Sequence, residues 1–154
     1  MTGISEVQAS MLRQGIDAWV IYDFRGSNPI FSLLVPGKHH TTRRAVLLIP
    51  GTGAPELLVQ GLDANQFVGS EFPRHVYLGW QDFADYLKSK LAGRRRIAME
   101  YVPGGALPVV SIVDAGTIEL VRSLGVEVVT SADLIQVCAA RWSSAARKNH
   151  DVAS

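Results

Sequence analysis

Apolar residues recur along this chain with two spacings, one typical of amphipathic helices and one typical of buried strands. Apolar positions three or four residues apart predict helices over 5–14, with Ser5 as a possible cap and Gly15 as its end, and over 80–91, ended by Gly93. Short apolar and β-branched runs predict six strands, at 17–22, 44–49, 56–60, 76–78, 97–100 and 126–129. Because helices and strands alternate, the pattern predicts an α/β domain.

The connection between the second and third predicted strands determines how they pair. Residues 50–55 read Pro-Gly-Thr-Gly-Ala-Pro, a turn composition too short for the crossover that parallel neighbours need. Strands 44–49 and 56–60 should therefore be antiparallel neighbours. We predict a mixed β-sheet flanked by helices.

Cap residues predict two further helices and a domain boundary. Asp114 precedes a helical pattern that runs to Leu124 and ends at Gly125, and Ser131 precedes one that runs to Ala139. The following segment, 141–154, begins another helical pattern with no later partner. We therefore predict one domain over 1–140 and a separate segment over 141–154.

Charge and composition exclude several classes of partner. The 154 residues carry 15 basic and 14 acidic side chains, so they lack the basic field that nucleic acids or charged membrane surfaces attract. No apolar run approaches the ~20 residues of a membrane span, and no secretory leader is apparent, so a cytoplasmic location is expected. The single Cys138 lies in an apolar run and is interpreted as a small buried hydrophobe.

Motifs for catalysis, metal binding or phosphate binding are not found. His39 and His40 are adjacent rather than at ligand spacing, and no Gly-x-Ser-x-Gly, Gly-x-Gly-x-x-Gly or Walker sequence occurs. Gly51-Thr52-Gly53 lies in the predicted hairpin and is interpreted as a turn. We expect no catalytic residue and no metal ligand in this chain.

Other polar and aromatic residues have structural interpretations. Asp23, Arg25 and Asn28 follow a buried strand, where turn residues commonly bond to the backbone. The arginines at 94–96 are interpreted as solvated charges near a helix C-terminus. Trp80 begins a predicted helix, and core packing is favoured for it over stacking on a substrate.

Five stretches occur in an order and spacing typical of a known family. They are DFRGSNPI at 23–30, WQDF at 80–83, MEY at 99–101 with VDAGTIELVR at 113–122, and SADLIQ at 131–136. Together they resemble the creatinase-type N-terminal domain of the prolidase, aminopeptidase P and creatinase group of metallopeptidases. The resemblance covers essentially the whole chain, and 142–153 resembles the linker helix that leads into the catalytic domain of that group.

The resemblance implies a two-domain, homodimeric enzyme of which this chain is the non-catalytic part. The catalytic domain would hold two divalent metal ions with two aspartates, one histidine and two glutamates, all outside this chain. The N-terminal domain would contribute to dimerisation and to the partner subunit's substrate entrance. A peptide with proline in second position is the expected substrate, and the chain alone is expected to be inactive.

The resemblance also suggests candidate substrate-binding residues. Arg43 is matched by position to the carboxylate-binding arginine of creatinase, because a planar guanidinium can pair bidentately with a carboxylate. His39 and His40 are companions in the preceding loop, and Trp80 is a further candidate. Two other hypotheses remain open. One is a free-standing oligomerisation or small-ligand-binding α/β domain, and the other is a small Rossmann-like enzyme, which depends only on the alternation of elements.

Overall fold

The computed structural model describes residues 3–37 and 39–140. The strands are β1 Ala18–Phe24, β2 Arg44–Pro50, β3 Glu56–Gln60, β4 Arg74–Tyr77, β5 Arg96–Met99 and β6 Glu127–Thr130. The helices are α1 Ile4–Gln14, α2 Pro29–Leu34, α3 Trp80–Leu91, α4 Ala115–Ser123 and α5 over 132–140. Short 3-10 turns lie at Ala64–Phe67, Pro103–Gly105 and Pro108–Val110. The predicted linker helix lies outside the described residues.

The strands form one six-stranded sheet in the order β4-β3-β2-β1-β5-β6. Strand β2 is antiparallel to both β1 and β3, whereas the pairs β3–β4, β1–β5 and β5–β6 are parallel. The hairpin pairs Leu47 with Leu57. The predicted mixed sheet is therefore confirmed, and β2 is its one reversed strand.

Helices cover both faces of the sheet, so the central strand β1 is buried on both sides. Trp19 and Ile21 belong to a cluster with α1, α2 and α5, while Val20 and Tyr22 belong to one with α3 and α4. Cys138 on α5 is buried in the first cluster, as predicted. No helix in the described part of the chain has the length and apolar character needed to cross a membrane.

Cap geometry confirms some local predictions and corrects others. Gly15 ends α1 with a left-handed φ of 69°, and the Asp114 carboxylate accepts a hydrogen bond from Thr117 N at the start of α4. Ser5 is not a cap, because α1 begins at Ile4 and the Ser5 hydroxyl bonds to Glu6. Ser131 does not cap α5 with its side chain either, since its hydroxyl donates to Glu100.

The interpretation of the arginines at 94–96 as solvated charges is wrong for Arg94 and Arg96. Arg94 Nε donates to Lys90 O at 2.9 Å, and the Arg96 guanidinium donates to Gln14 O. Both acceptors are carbonyls in the last turn of a helix, which have no partner within the helix. The two arginines therefore stabilise the C-terminal ends of α3 and α1.

Candidate functional site

The candidate residues lie near one edge of the sheet. Because only β2 is reversed, β1, β3, β4, β5 and β6 all end at this carboxyl edge. Trp80 follows the end of β4, and Arg43 precedes the start of β2 at the same edge. In open α/β sheets, ligands bind outside the carboxyl ends of the strands, so this edge is the natural place for a site.

Arg43 and Trp80 line a common cleft of about 390 Å³. Phe24, Arg44 and Leu78 form other parts of its wall. Phe24 and Leu78 are large apolar side chains exposed to solvent, at 44% and 74%. The cleft thus combines two guanidinium groups with apolar surface, which suits a ligand that carries both an anionic and an apolar group.

A buried carboxylate holds the backbone beneath Arg43. Asp63 is 4% exposed, and its Oδ2 accepts hydrogen bonds from Thr42 N and Arg43 N, both at 3.0 Å. The Arg43 side chain is exposed and donates only to Thr42 O, at 3.3 Å, among the residues described. Its charge therefore remains available to a ligand or partner. Sequence reasoning did not identify Asp63, because an aspartate in a loop gives no signal of which backbone groups its side chain will bind.

Arg44 has a different role from Arg43. Its guanidinium carbon lies 5.8 Å from the ring centroid of Trp80 and 5.6 Å from that of Phe83. Its carbonyl accepts a hydrogen bond from the Tyr77 hydroxyl at 2.7 Å, and burial raises the pKa of Tyr77 to about 12. Arg44 therefore supports the wall of the cleft and packs against Trp80.

The prediction that Trp80 packs in the core is wrong, because its side chain is 58% exposed. The inward face of α3 is formed by Phe83, Tyr86, Leu87 and Leu91. Trp80 occupies the first turn of this helix at the rim of the sheet, where Arg44 contacts its ring. The helical spacing of apolar residues identified the buried stripe but could not show where the sheet ends.

His39 and His40 line a separate hollow of about 250 Å³, which Asp23 and Thr41 also line. The His39 ring stacks on Phe67 with centroids 4.3 Å apart, and its Nε2 lies 3.2 Å from Val35 O. His40 is held through its backbone, whose N–H donates to Gln66 Oε1. The structure therefore brings Arg43 and Trp80 together and places the histidines in a neighbouring loop.

Sequence reasoning also missed Glu100, a charged residue of this edge that is 0% exposed. Its carboxylate accepts hydrogen bonds from Trp19 Nε1 at 2.8 Å, Ser131 Oγ at 2.8 Å and Asn28 Nδ2 at 2.6 Å. Burial raises the pKa of Glu100, while the three donors oppose this rise. The available signal in the sequence for this buried group was a single glutamate directly after the apolar run of β5.

The structure confirms the interpretation of Asp23 and Asn28 as turn residues that bond to the backbone. The Asp23 carboxylate accepts from Gly26 N at 3.0 Å and Asn28 N at 2.8 Å, and Asn28 Oδ1 caps α2 through Ile30 N. Arg25 is an exposed turn residue with a φ of 58°. Asn28 Nδ2 donates to Glu100 Oε1 at the ends of β1 and β5. Within the described ranges, no group of histidine, cysteine or acidic side chains could hold a metal ion.

No protein-family model matches the sequence, and no curated protein is significantly similar to it. Its fold, however, is similar to several solved structures. The proline dipeptidase from Streptococcus pneumoniae has a TM-score of 0.63 and 16% identity, over 88% of this chain and 96% of that one. The creatinase/prolidase N-terminal domain of an X-Pro dipeptidase from Streptococcus pyogenes has 0.59 and 13%, over 84% and 99%.

The prolidase from Pyrococcus horikoshii OT3 has a TM-score of 0.61 and 18% identity over 88% of this chain. This chain spans only 34% of the length of that prolidase. The similarity therefore concerns one part of a longer enzyme. The chain has the fold of the creatinase/prolidase N-terminal domains of Xaa-Pro dipeptidases.

Proposed function

We propose that this chain is the non-catalytic N-terminal domain of a proline-specific metallopeptidase of the Xaa-Pro dipeptidase or aminopeptidase P type. The observation that carries the proposal is the fold, which the chain shares along 84% of its length with an isolated N-terminal domain of such a dipeptidase. The whole protein would be a cytoplasmic hydrolase, and the chain would contribute to its homodimerisation and substrate entrance. The alternative of a free-standing oligomerisation or ligand-binding domain is not favoured, because the structural neighbours are parts of peptidases.

The cleft suggests how the domain would act on a substrate. Asp63 holds the backbone at Arg43, so the exposed guanidinium projects from a fixed loop. A substrate carboxylate could pair with it bidentately, while Trp80 offers apolar surface beside it. His39 and His40 would belong to the adjacent loop. Two divalent metal ions, held by a catalytic domain outside this chain, would supply the hydrolytic chemistry.

The first prediction is that the isolated chain has no peptidase activity. The described residues contain no metal-ligand cluster, so they cannot activate a water molecule by this chemistry. The chain should be incubated with a proline-containing dipeptide and manganese or cobalt, and product formation should be followed. Metal-dependent turnover that co-purifies with the chain and disappears with a chelator would refute the proposal.

A further inference from the structure

A hollow of about 280 Å³ lies at the amino edge of the sheet, at the opposite end of the strands from the candidate site. It is enclosed by the end of α1, the connection from α1 to β1, the turn between β2 and β3, and the loop between α3 and β5. Its lining residues differ from those of the cleft that contains Arg43. The hollow is therefore a separate feature of the domain.

Hydrogen bonds fix the walls of this hollow. The Asp17 carbonyl accepts from Gly51 N at 2.9 Å and from Arg94 Nη1 at 3.0 Å, which ties three of the four segments together. A Cβ at Gly51 would lie 3.2 Å from the Asp17 carbonyl oxygen, so this close approach favours a residue without a side chain. Gln8 of α1 holds the turn by donating to Pro50 O at 2.8 Å. The hollow is thus formed before any ligand arrives.

Two opposite charges face the hollow without neutralising each other. Asp17 and Arg94 both line it, yet the contacts of the described residues include no ion pair between the two side chains. The hydrogen bonds that Arg96 N and Arg95 N donate to Asp17 Oδ2 lower the pKa of Asp17, so its carboxylate is charged at neutral pH.

Each of these two groups keeps one atom for a ligand. Asp17 uses Oδ2 for the two backbone N–H groups, and its Oδ1 accepts no hydrogen bond within 3–37 and 39–140. Arg94 uses Nε for Lys90 O and Nη1 for Asp17 O, and its Nη2 donates no hydrogen bond within the same ranges. The hollow therefore offers one charged acceptor and one charged donor.

An apolar side chain completes the lining. Leu12, on the last turns of α1, is 79% exposed although it lines the hollow, and Ile16 beside it is buried. A ligand that covers Leu12 would remove apolar surface from water, which is favourable. The lining thus combines a carboxylate, a guanidinium and an apolar surface.

We propose that this hollow binds an α-amino acid with an apolar side chain. Its ammonium group donates to Asp17 Oδ1, its carboxylate accepts from Arg94 Nη2, and its side chain packs on Leu12. Hydrogen bonds between ionised groups are the strong ones, so both ends of the zwitterion contribute. An anion alone would be repelled by Asp17 and a cation alone by Arg94, whereas a zwitterion compensates both charges.

This inference is independent of the proposed function, because the chain by itself contains the whole hollow. NMR titration of the ¹⁵N-labelled chain with L-leucine tests it. We expect saturable shifts of the amide signals at 51–52 and 94–96. N-acetyl-L-leucine, which lacks the ammonium group, and L-leucinamide, which lacks the carboxylate, should each bind about tenfold more weakly, the effect of losing one charge-assisted contact.

Two variants test the residues. Asp17→Asn keeps a side-chain oxygen for the two backbone N–H groups but removes the charge, so L-leucine should bind about tenfold more weakly. Leu12→Ser should weaken the binding of L-leucine but leave that of glycine unchanged, because glycine has both charges and no side chain. Leu62→Ser is the matched control, since Leu62 is 74% exposed and lies outside this hollow. Circular dichroism identifies any loss of folding, and the exposed Leu12 position gives an independent reading if Asp17→Asn unfolds.

The absence of saturable shifts up to the solubility limit of L-leucine would overturn the inference. Equal binding of L-leucine and its two blocked derivatives would also overturn it, as would equal shifts with sodium acetate. So would variants at Asp17 and Leu12 that bind L-leucine like the wild type. Peptidase assays of the longer protein separate the two proposals. Xaa-Pro hydrolysis without leucine binding refutes only this inference, and leucine binding without hydrolysis by the longer protein refutes only the peptidase proposal.

Discussion

Glu100 accepts hydrogen bonds from Trp19, Asn28 and Ser131, which lie 81, 72 and 31 positions away in the sequence. All three donors are neutral, so the carboxylate is buried with hydrogen bonds but without a cation from the described residues. Burial disfavours the charged form more than the three donors favour it, and the pKa of Glu100 is raised above its ordinary value of 4.5. The network links β1, α2, β5 and the start of α5. Because its acceptor is a buried carboxylate, the stability of the protein depends on pH.

The stability of the protein should therefore depend on the protonation of Glu100. Below pH 4.5 the carboxyl is protonated in both the folded and the unfolded chain. As the pH rises above that value, the unfolded chain loses its proton first, so stability is lost until the pH passes the raised pKa of the folded state. Glu100→Gln cannot ionise and should lack this part of the pH dependence.

The measurement is urea unfolding of both proteins from acid to neutral pH. We expect the free energy of unfolding of the wild type to fall relative to that of Glu100→Gln as the pH rises. A pH-independent offset is also expected, because the glutamine amide brings a donor close to existing donors. Parallel pH curves for the two proteins would contradict the prediction.

Arg43→Ala in the longer enzyme should weaken substrate binding more than it slows chemistry. A charge-assisted contact at the rim of the site contributes on the order of 1.5 to 3 kcal/mol, while the water that attacks the peptide is not touched by this residue. KM should therefore rise while kcat changes little. Arg13→Ala is the control, since this exposed arginine lies on α1 and outside the cleft. Steady-state kinetics that leave both constants unchanged for Arg43→Ala would exclude its substrate role.

At the scale of elements, α4 and α2 are both capped at their N-termini, but by different kinds of contact. Asp114 caps α4 by accepting from Thr117 N at 2.9 Å and Thr117 Oγ1 at 2.7 Å. These bonds lower the pKa of Asp114 against the opposing effect of burial, which is the largest contribution. Helix α2 is capped by Asn28, whose side chain also reaches Glu100. One cap is thus local, and the other is part of the core.

Asp114→Ala should reduce the free energy of unfolding by about 1 kcal/mol, the usual contribution of an aspartate cap. The control is Glu119→Ala, an exposed position on the same helix that should change stability little. Denaturant unfolding at neutral pH distinguishes the two variants. Equal effects would mean that the Asp114 hydrogen bonds do not stabilise α4.

At the scale of the whole molecule, α5 closes one face of the sheet. Leu134 is 0% exposed and belongs to the same cluster as Val7 and Met11 of α1 and Trp19 of β1. The described part of α5 therefore belongs to the core of the domain.

Leu134→Ala should destabilise the domain by about 2 to 5 kcal/mol, the range for leucine-to-alanine changes in protein cores. The same substitution at Leu12, which is 79% exposed on α1, should have a much smaller effect. Thermal or denaturant unfolding of both variants tests this. Similar losses at the two positions would show that α5 does not contribute to the core.

Local sequence determined much of this protein. The bounds of α3, the end of α1 at Gly15, the cap of α4 and the antiparallel pairing of β2 with β3 followed from spacing, cap residues and a short turn. These features depend on neighbouring residues, so a single sequence contains their signals. The order of five family-like stretches indicated the fold, which the structural neighbours confirm.

Tertiary structure decided what local patterns could not. The exposure of Trp80 depends on where the sheet ends, and the burial of Glu100 depends on donors from three distant segments. Arg96 bonds to the C-terminal end of α1 because β1 and β5 are neighbours, which brings Arg96 close to Gln14, 82 positions away. Arg43 and Trp80 line one cleft because the starts of β2 and α3 meet at one edge. Such contacts join residues far apart in sequence, and no periodicity along the chain encodes them.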